Sequence, residues 1–190
     1  MKRGQIAFLA VATLVAGVFA YLVRDSLLPV TGPVGFSPAS AKQMKVRLPG
    51  GATRDVAKAP GKLFVLHFWA TWCAPCAEEL PGLLAYAREI RNDPSIELLA
   101  VSVDDDFKTV DAWLKSKSAS DLPIALDPGR KIATRMGTQK FPETYILSAK
   151  GEILGVVRGP VDWSSKEIRA QLDDLRRGVT GAKAPSTSPS

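Results

Sequence analysis

The chain has 190 residues, 46% of them hydrophobic, a formal net charge of +6, two cysteines and a single histidine. That is apolar material for one domain with a full core, and too few Cys and His for a four-ligand structural zinc site. The basic residues form no stripe interleaved with aromatics, so nucleic acid is not an expected partner.

At the N-terminus, Lys2 and Arg3 precede Ile6 to Val23, a run of eighteen residues without a charge. As a helix this run spans about 27 Å, close to the thickness of a bilayer's hydrocarbon core. A secretory signal has a shorter apolar region of about 7–15 residues. Residues 1–24 are therefore expected to be an uncleaved transmembrane anchor. Cleavage after the small-residue segment Val18-Phe19-Ala20, giving a secreted domain, is the alternative. Lys2 and Arg3 would hold the N-terminus in the cytoplasm and place the remainder outside it. Residues 25–42 contain Pro29, Pro33, Pro38, Gly32 and Gly35 and are expected to form a flexible linker. Residues 43–178 then form the globular domain. Residues 179–190, small, polar and proline-bearing, form a disordered tail.

Within the domain, Val46-Arg47-Leu48 and Thr53 to Val56 flank Pro49-Gly50-Gly51, a short hairpin pattern. Leu63 to Trp69 is apolar on both faces, as a central buried strand is, and carries the histidine, His67. A helix is expected from about Cys73 to Arg91, stopped by Asn92-Asp93-Pro94 and kinked by Pro81. Glu78 and Glu79 are expected to face water on it. Ile96 to Val103 is a second buried strand, and Phe107 to Lys117 has Val110, Trp113 and Leu114 at helical spacing. A short strand over Pro123–Leu126 and a short helix over Arg130–Met136, closed by Gly137, follow. Thr144–Leu147 and Glu152–Val157 pair around Ala149-Lys150-Gly151, and a last helix opens on the capping box Ser164-Ser165-Lys166-Glu167 and ends at Arg176-Arg177-Gly178. Strands alternating with helices, closed by a hairpin and a helix, predict an α/β fold with a central mixed sheet flanked by helices.

The chemistry lies in Trp72-Cys73-Ala74-Pro75-Cys76, at the seam between strand and helix. First-turn N–H groups and the helix dipole point at the Cys73 sulfur and favour its thiolate. Cys76, one turn on, is placed to attack a mixed disulfide formed at Cys73. A bridge closing so small a loop constrains the unfolded chain little, which argues against a merely structural disulfide. A peroxide-reducing mechanism with one cysteine does not need the second thiol. Redox exchange through the pair is the expected activity, with no other cofactor and no metal.

The segment Phe68-Trp69-Ala70-Thr71-Trp72-Cys73-Ala74-Pro75-Cys76 resembles the active site of thioredoxin-like proteins. Its details are similar to the membrane-anchored, extracytoplasmic TlpA-like group, including ResA-type and CcmG-type disulfide reductases. Pro81 matches the helix proline of thioredoxins, and Phe141-Pro142-Glu143-Thr144-Tyr145 matches the segment with the cis-proline that faces the two cysteines. Gly159-Pro160-Val161-Asp162-Trp163 is also TlpA-like. The resemblance covers roughly residues 36–177 and implies a thioredoxin-like fold with an extra helix and strand over about 105–126.

Carried over, it makes Cys73 the attacking thiol and Cys76 the resolving one. Trp72, Phe141 and Pro142 would border the substrate, with Phe141 pairing to an extended segment. Trp69, one strand step in, is assigned to the core. His67 falls where thioredoxins bury an acid. It is either a base for Cys76 or a core histidine bonded to backbone. Glu143 either raises the thiol pKa values by its charge or is a solvated surface residue. The implied setting is a monomer on the bacterial inner membrane with its catalytic domain in the periplasm, drawing on a membrane electron donor. Its implied substrates are protein disulfides, such as those of apocytochrome c or copper-site proteins. A copper-handling factor that holds Cu(I) on the dithiol is the alternative.

Overall fold

The structure is a computed structural model that describes residues 44–180. The expected anchor, linker and residues 181–190 of the tail lie outside the described residues. No helix among the described residues is long and apolar enough to cross a membrane.

The seven strands form one sheet in the order β2-β1-β5-β4-β3-β6-β7. They are β1 (Lys45–Arg47), β2 (Thr53–Asp55), β3 (Leu63–Trp69), β4 (Ile96–Ser102), β5 (Ile124–Leu126), β6 (Glu143–Leu147) and β7 (Ile153–Arg158). Four α-helices join them: α1 (Ala74–Glu89), α2 (Phe107–Ser116), α3 (Lys131–Met136) and α4 (Lys166–Thr180). β3, β4 and β5 are parallel, and the β1–β2, β1–β5, β3–β6 and β6–β7 pairs are antiparallel. The sheet is therefore mixed, as the order of elements predicted. All seven residues of β3 are buried, because helices cover both faces of the strand.

The two faces can be told apart along β3. His67 and Trp69 point to one face, where Trp69 packs on Trp113 of α2 and His67 packs against Trp163 and Glu79 of α1. Tyr86 of α1 stacks on Trp163, and Arg169 of α4 reaches Glu89 of α1, so α1 and α4 lie together there. Phe68 points the other way, onto Tyr145 of β6, whose hydroxyl meets the Met136 carbonyl at the end of α3. The turn between β6 and β7 passes so close to the chain before β3 that a Cβ on Gly151 would lie 2.1 Å from the Ala57 carbonyl oxygen. Only glycine fits that approach.

Several boundaries differ from expectation. α1 contains Pro81, which is exposed, and stays helical from Ala74 to Glu89, two residues short of the expected end at Arg91. The cap of α4 is Ser165, whose hydroxyl accepts from Ile168 N–H, while Ser164 is held by the Asp162 carboxylate. α4 continues past Gly178 to Thr180, two residues into the expected tail.

Candidate active site

β3 ends at Trp69, and the chain must turn before α1 can begin. Asp104, buried just beyond β4, fixes that turn: its carboxylate accepts from Thr71 N–H at 2.9 Å, Thr71 Oγ1 at 2.8 Å and Ser102 Oγ at 2.6 Å. Cys73 then caps α1, its sulfur 3.3 Å from the Cys76 N–H that it accepts. The expected donor to sulfur is therefore in place. Cys73 and Cys76 form a disulfide with their Cα atoms 5.3 Å apart. Both cysteines are nearly buried, at 6% and 3% exposure, so a partner can approach only from the mouth of the turn.

That mouth is aromatic. Trp72 is 58% exposed and is the one large hydrophobic so exposed among the described residues. Its ring meets Phe141 edge-on at 5.9 Å. The Phe141–Pro142 peptide bond is cis, as the resemblance implied. Phe141 is half-buried, and Pro142 is buried at the start of β6. Trp69 is buried in the core, as expected.

Behind the disulfide lies a buried histidine–glutamate pair. His67, 1% exposed, has Nδ1 3.0 Å from Thr144 Oγ1 and Nε2 3.0 Å from Glu79 Oε1. Neither His67 Nε2 nor Glu79 Oε1 makes a hydrogen bond among the described residues. The other oxygen of Glu79 accepts from Val161 N–H at 2.7 Å. Two expectations change here. Glu79 does not face water: it is 7% exposed, in line with Cys76, Leu80 and Leu83 on the buried stripe of α1. The spacing from Cys76 to Glu79 is one helical turn, a signal that was present in the sequence. His67 is not held by backbone; its partners are the side chains of Thr144 and Glu79. Glu78 is exposed, as expected.

Glu143 is neither a surface residue nor turned toward α1. It is 2% exposed and leaves β6 on the face opposite Thr144 and His67. There it meets Arg158 Nε at 3.0 Å and the Tyr145 hydroxyl at 3.1 Å. Burial, reinforced by the Glu143 charge, pushes the Tyr145 phenol up to about 12. That hydroxyl therefore keeps its proton at any ordinary pH, and the Met136 carbonyl and the Glu143 carboxylate compete for it.

The sequence reading also passed over Arg130. Its guanidinium carbon lies 5.1 Å from the Trp72 ring centre and 5.6 Å from that of Phe141, so it joins the two segments that flank the disulfide. Among the described residues no group of three or more His, Cys, Asp and Glu is placed to hold a metal ion.

The model of the AhpC/TSA family matches residues 39–156. The thiol:disulfide interchange protein HelX of Rhodobacter capsulatus is 28% identical over 167 residues, 86% of this chain and 89% of its own length. The thiol-disulfide oxidoreductase ResA of Bacillus subtilis is 28% identical over 130 residues, 68% of this chain and 70% of its own. Among solved structures, StoA from Bacillus subtilis superposes with a TM-score of 0.55 at 23% identity, covering 70% of this chain and 93% of that one, which shows a shared fold.

Proposed function

The chain belongs to the AhpC/TSA family and, like the relatives that match most of their length to it, is a protein thiol–disulfide oxidoreductase; on that premise we propose that it works as a reductase of disulfides in partner proteins outside the cytoplasm. The observation that carries this is the cap of α1. The Cys73 sulfur accepts the Cys76 N–H at a helix start, and its disulfide partner is one turn away. A sulfur so placed is the better-stabilised thiolate and the better first nucleophile.

In the reduced chain, the Cys73 thiolate attacks one sulfur of a substrate disulfide. The Cys73–substrate disulfide forms, and the other substrate sulfur leaves as thiolate. The Cys76 thiolate then attacks Cys73, closing the Cys73–Cys76 bond and releasing the second substrate thiolate. The substrate gains two electrons and the cysteine pair loses two. The pair is the whole redox equipment in this reading, and a membrane donor must return the electrons because the periplasm is oxidising. Trp72, Phe141 and Pro142 border the approaching segment. The apolar run at residues 6–23 serves as the anchor. Cytochrome c maturation, with an apocytochrome disulfide as substrate, is the setting that the TlpA-like resemblance implies.

Cys76→Ser is expected to trap substrate as a stable mixed disulfide on Cys73, and Cys73→Ser to trap none. Trapping through Cys76 would reverse the roles. Copper titration of the reduced chain separates this reading from a Cu(I) ligand pair. The equilibrium potential of the Cys73–Cys76 couple decides the direction of electron flow.

A further inference from the structure

Arg130 holds a backbone conformation that its residue type does not favour. Its φ of 57° and ψ of 30° are left-handed, and Gly129 before it is left-handed too. A side chain with a Cβ is crowded there by the following carbonyl oxygen. The loop enforces the conformation from both ends: the Asp127 carbonyl takes the Arg130 N–H, and the buried Asp127 carboxylate takes the N–H groups of Ile132 and Ala133. Glycine or asparagine would sit there more easily. The arginine is thrown forward onto Trp72 and Phe141, the residues immediately before Cys73 and Pro142.

A guanidinium lying on aromatic faces keeps its N–H edge free for a planar, two-pronged acceptor. Arg130 is exposed and makes no ion pair with any described residue. On one side of Gly129 lies a groove of about 890 Å³ lined by Lys45, Arg47, Lys131 and Arg135. Lys45, Arg47 and Lys131 likewise meet no carboxylate among the described residues. The one acid lining the groove, Asp127, is already used. On the other side is a cavity of about 270 Å³ lined by Trp72, Arg130 and the acids Asp104, Asp105 and Asp106. Asp104 holds the turn before Cys73, and Asp106 caps α2 through Thr109 N–H.

We propose that this face docks an acidic segment of the protein whose disulfide is exchanged, with Arg130 taking the carboxylate nearest the reacting cysteine. The inference rests on the oxidoreductase reading and adds a substrate class to it. The charge arrangement sets a direction. A segment with Asp or Glu beside its cysteine is held by Arg130, repelled from the Asp104–Asp106 side, and led into the basic groove. The occupant is a protein segment rather than a lipid headgroup because the guanidinium touches both rings that border the disulfide. A membrane lying on it would close the mouth to substrate.

The test uses the reduced full chain and two disulfide-bridged peptides that differ only in Glu or Gln on either side of the cysteine. Rates of the first attack are measured at low and at about 0.3 M salt. The Glu peptide should react about tenfold faster at low salt, and the ratio should shrink as salt screens the contact. Arg130→Gln should cut that ratio to about two or less. Arg130→Lys, which keeps the charge and loses the planar fork, should retain an intermediate ratio. Lys131→Gln should lower it less than Arg130→Gln does. Melting temperatures of the variants check that each is folded. Equal rates for the two peptides overturn the proposal, as does a preference untouched by Arg130→Gln. So does binding to phosphatidylglycerol vesicles that the same substitutions abolish while peptide selectivity stays as it was. Exchange with neither peptide defeats the oxidoreductase reading itself, and this inference falls with it.

Discussion

Glu79 and Glu143 are buried to similar degrees, at 7% and 2% exposure, yet they meet basic side chains of different kind. Glu79 faces His67, an imidazole whose side chain is 1% exposed. Glu143 faces Arg158, which keeps its charge and whose side chain is 52% exposed. Thr144 and Glu143 are neighbours on β6, so one strand supplies a partner to each pair and sends them to opposite faces of the sheet. The pair on the α1 face, behind the disulfide, holds an imidazole, the side chain suited to proton transfer. The pair on the other face holds a guanidinium instead, and Tyr145 stays protonated beside it. The difference teaches where proton chemistry can couple to the thiols: on the side of His67 and Glu79.

The most severe break in this comparison is to strand each carboxylate. His67→Leu leaves Glu79 buried with no cation within reach among the described residues, which should cost about 3–5 kcal/mol in urea unfolding at pH 7. Arg158→Leu takes the guanidinium from Glu143, beside a cavity of about 400 Å³ that Glu143 lines with Lys140, Phe141 and Gly159. Water can enter there, and the loss should be smaller, about 1–3 kcal/mol. Equal deficits in the two variants would mean that burial, and not the kind of cation, sets the cost.

A gentler change tests function. His67→Asn keeps a polar group near Glu79 and Thr144 but removes the base. If His67 takes the Cys76 proton as that thiol attacks the mixed disulfide, resolution should slow by about a hundredfold. The first attack by Cys73 should change little, because the α1 start stabilises that thiolate. Single-turnover measurement of both steps across pH, with the melting temperature alongside, reads the difference. An unchanged resolution rate with a lowered melting temperature would retire the base hypothesis and leave His67 a core residue.

How much of this was visible in the sequence follows from the range of each signal. The strands and helices are local patterns, and β3, β4 and α2 lie within a residue or so of their expected spans. Cys73, Cys76 and the cis Phe141–Pro142 bond were legible because short motifs carry them. The charge pairs were not, because each joins residues distant in sequence. His67 to Glu79 crosses from β3 to α1, and Glu143 to Arg158 needs the register of β6 on β7. A glutamate on a helix is assigned to water by default. Only the turn-by-turn alignment of Glu79 with Cys76 and Leu83 contradicted that. Arg130 was read as the start of α3, since nothing local tells that its side chain crosses to Trp72 and Phe141.

A third carboxylate, more open than either, sharpens the comparison with the smallest effect. Glu97 on β4 is paired to Arg54, with Lys62 Nζ 3.6 Å from its other oxygen, and its side chain is 25% exposed. Burial pushes its carboxyl up, but the hydrogen bond and charge of Arg54, with help from Lys62, outweigh burial and hold it below the usual glutamate range. The sign follows directly. A carboxyl whose folded value is depressed contributes stability that is present above its unfolded value of 4.5 and is lost as pH falls through the folded value. Unfolding free energy should therefore decline with pH below about 4.5. Arg54→Met should flatten that decline while costing little at pH 7, because a half-exposed pair is worth about 1 kcal/mol or less. Arg54 also lies 4.7 Å from the Phe64 ring centre, so Arg54→Lys serves as the control that keeps charge and loses stacking. If Arg54→Met leaves the acid slope unchanged, Glu97 is not among the carboxylates that set it, and the kind of cation matters only for carboxylates that water cannot reach.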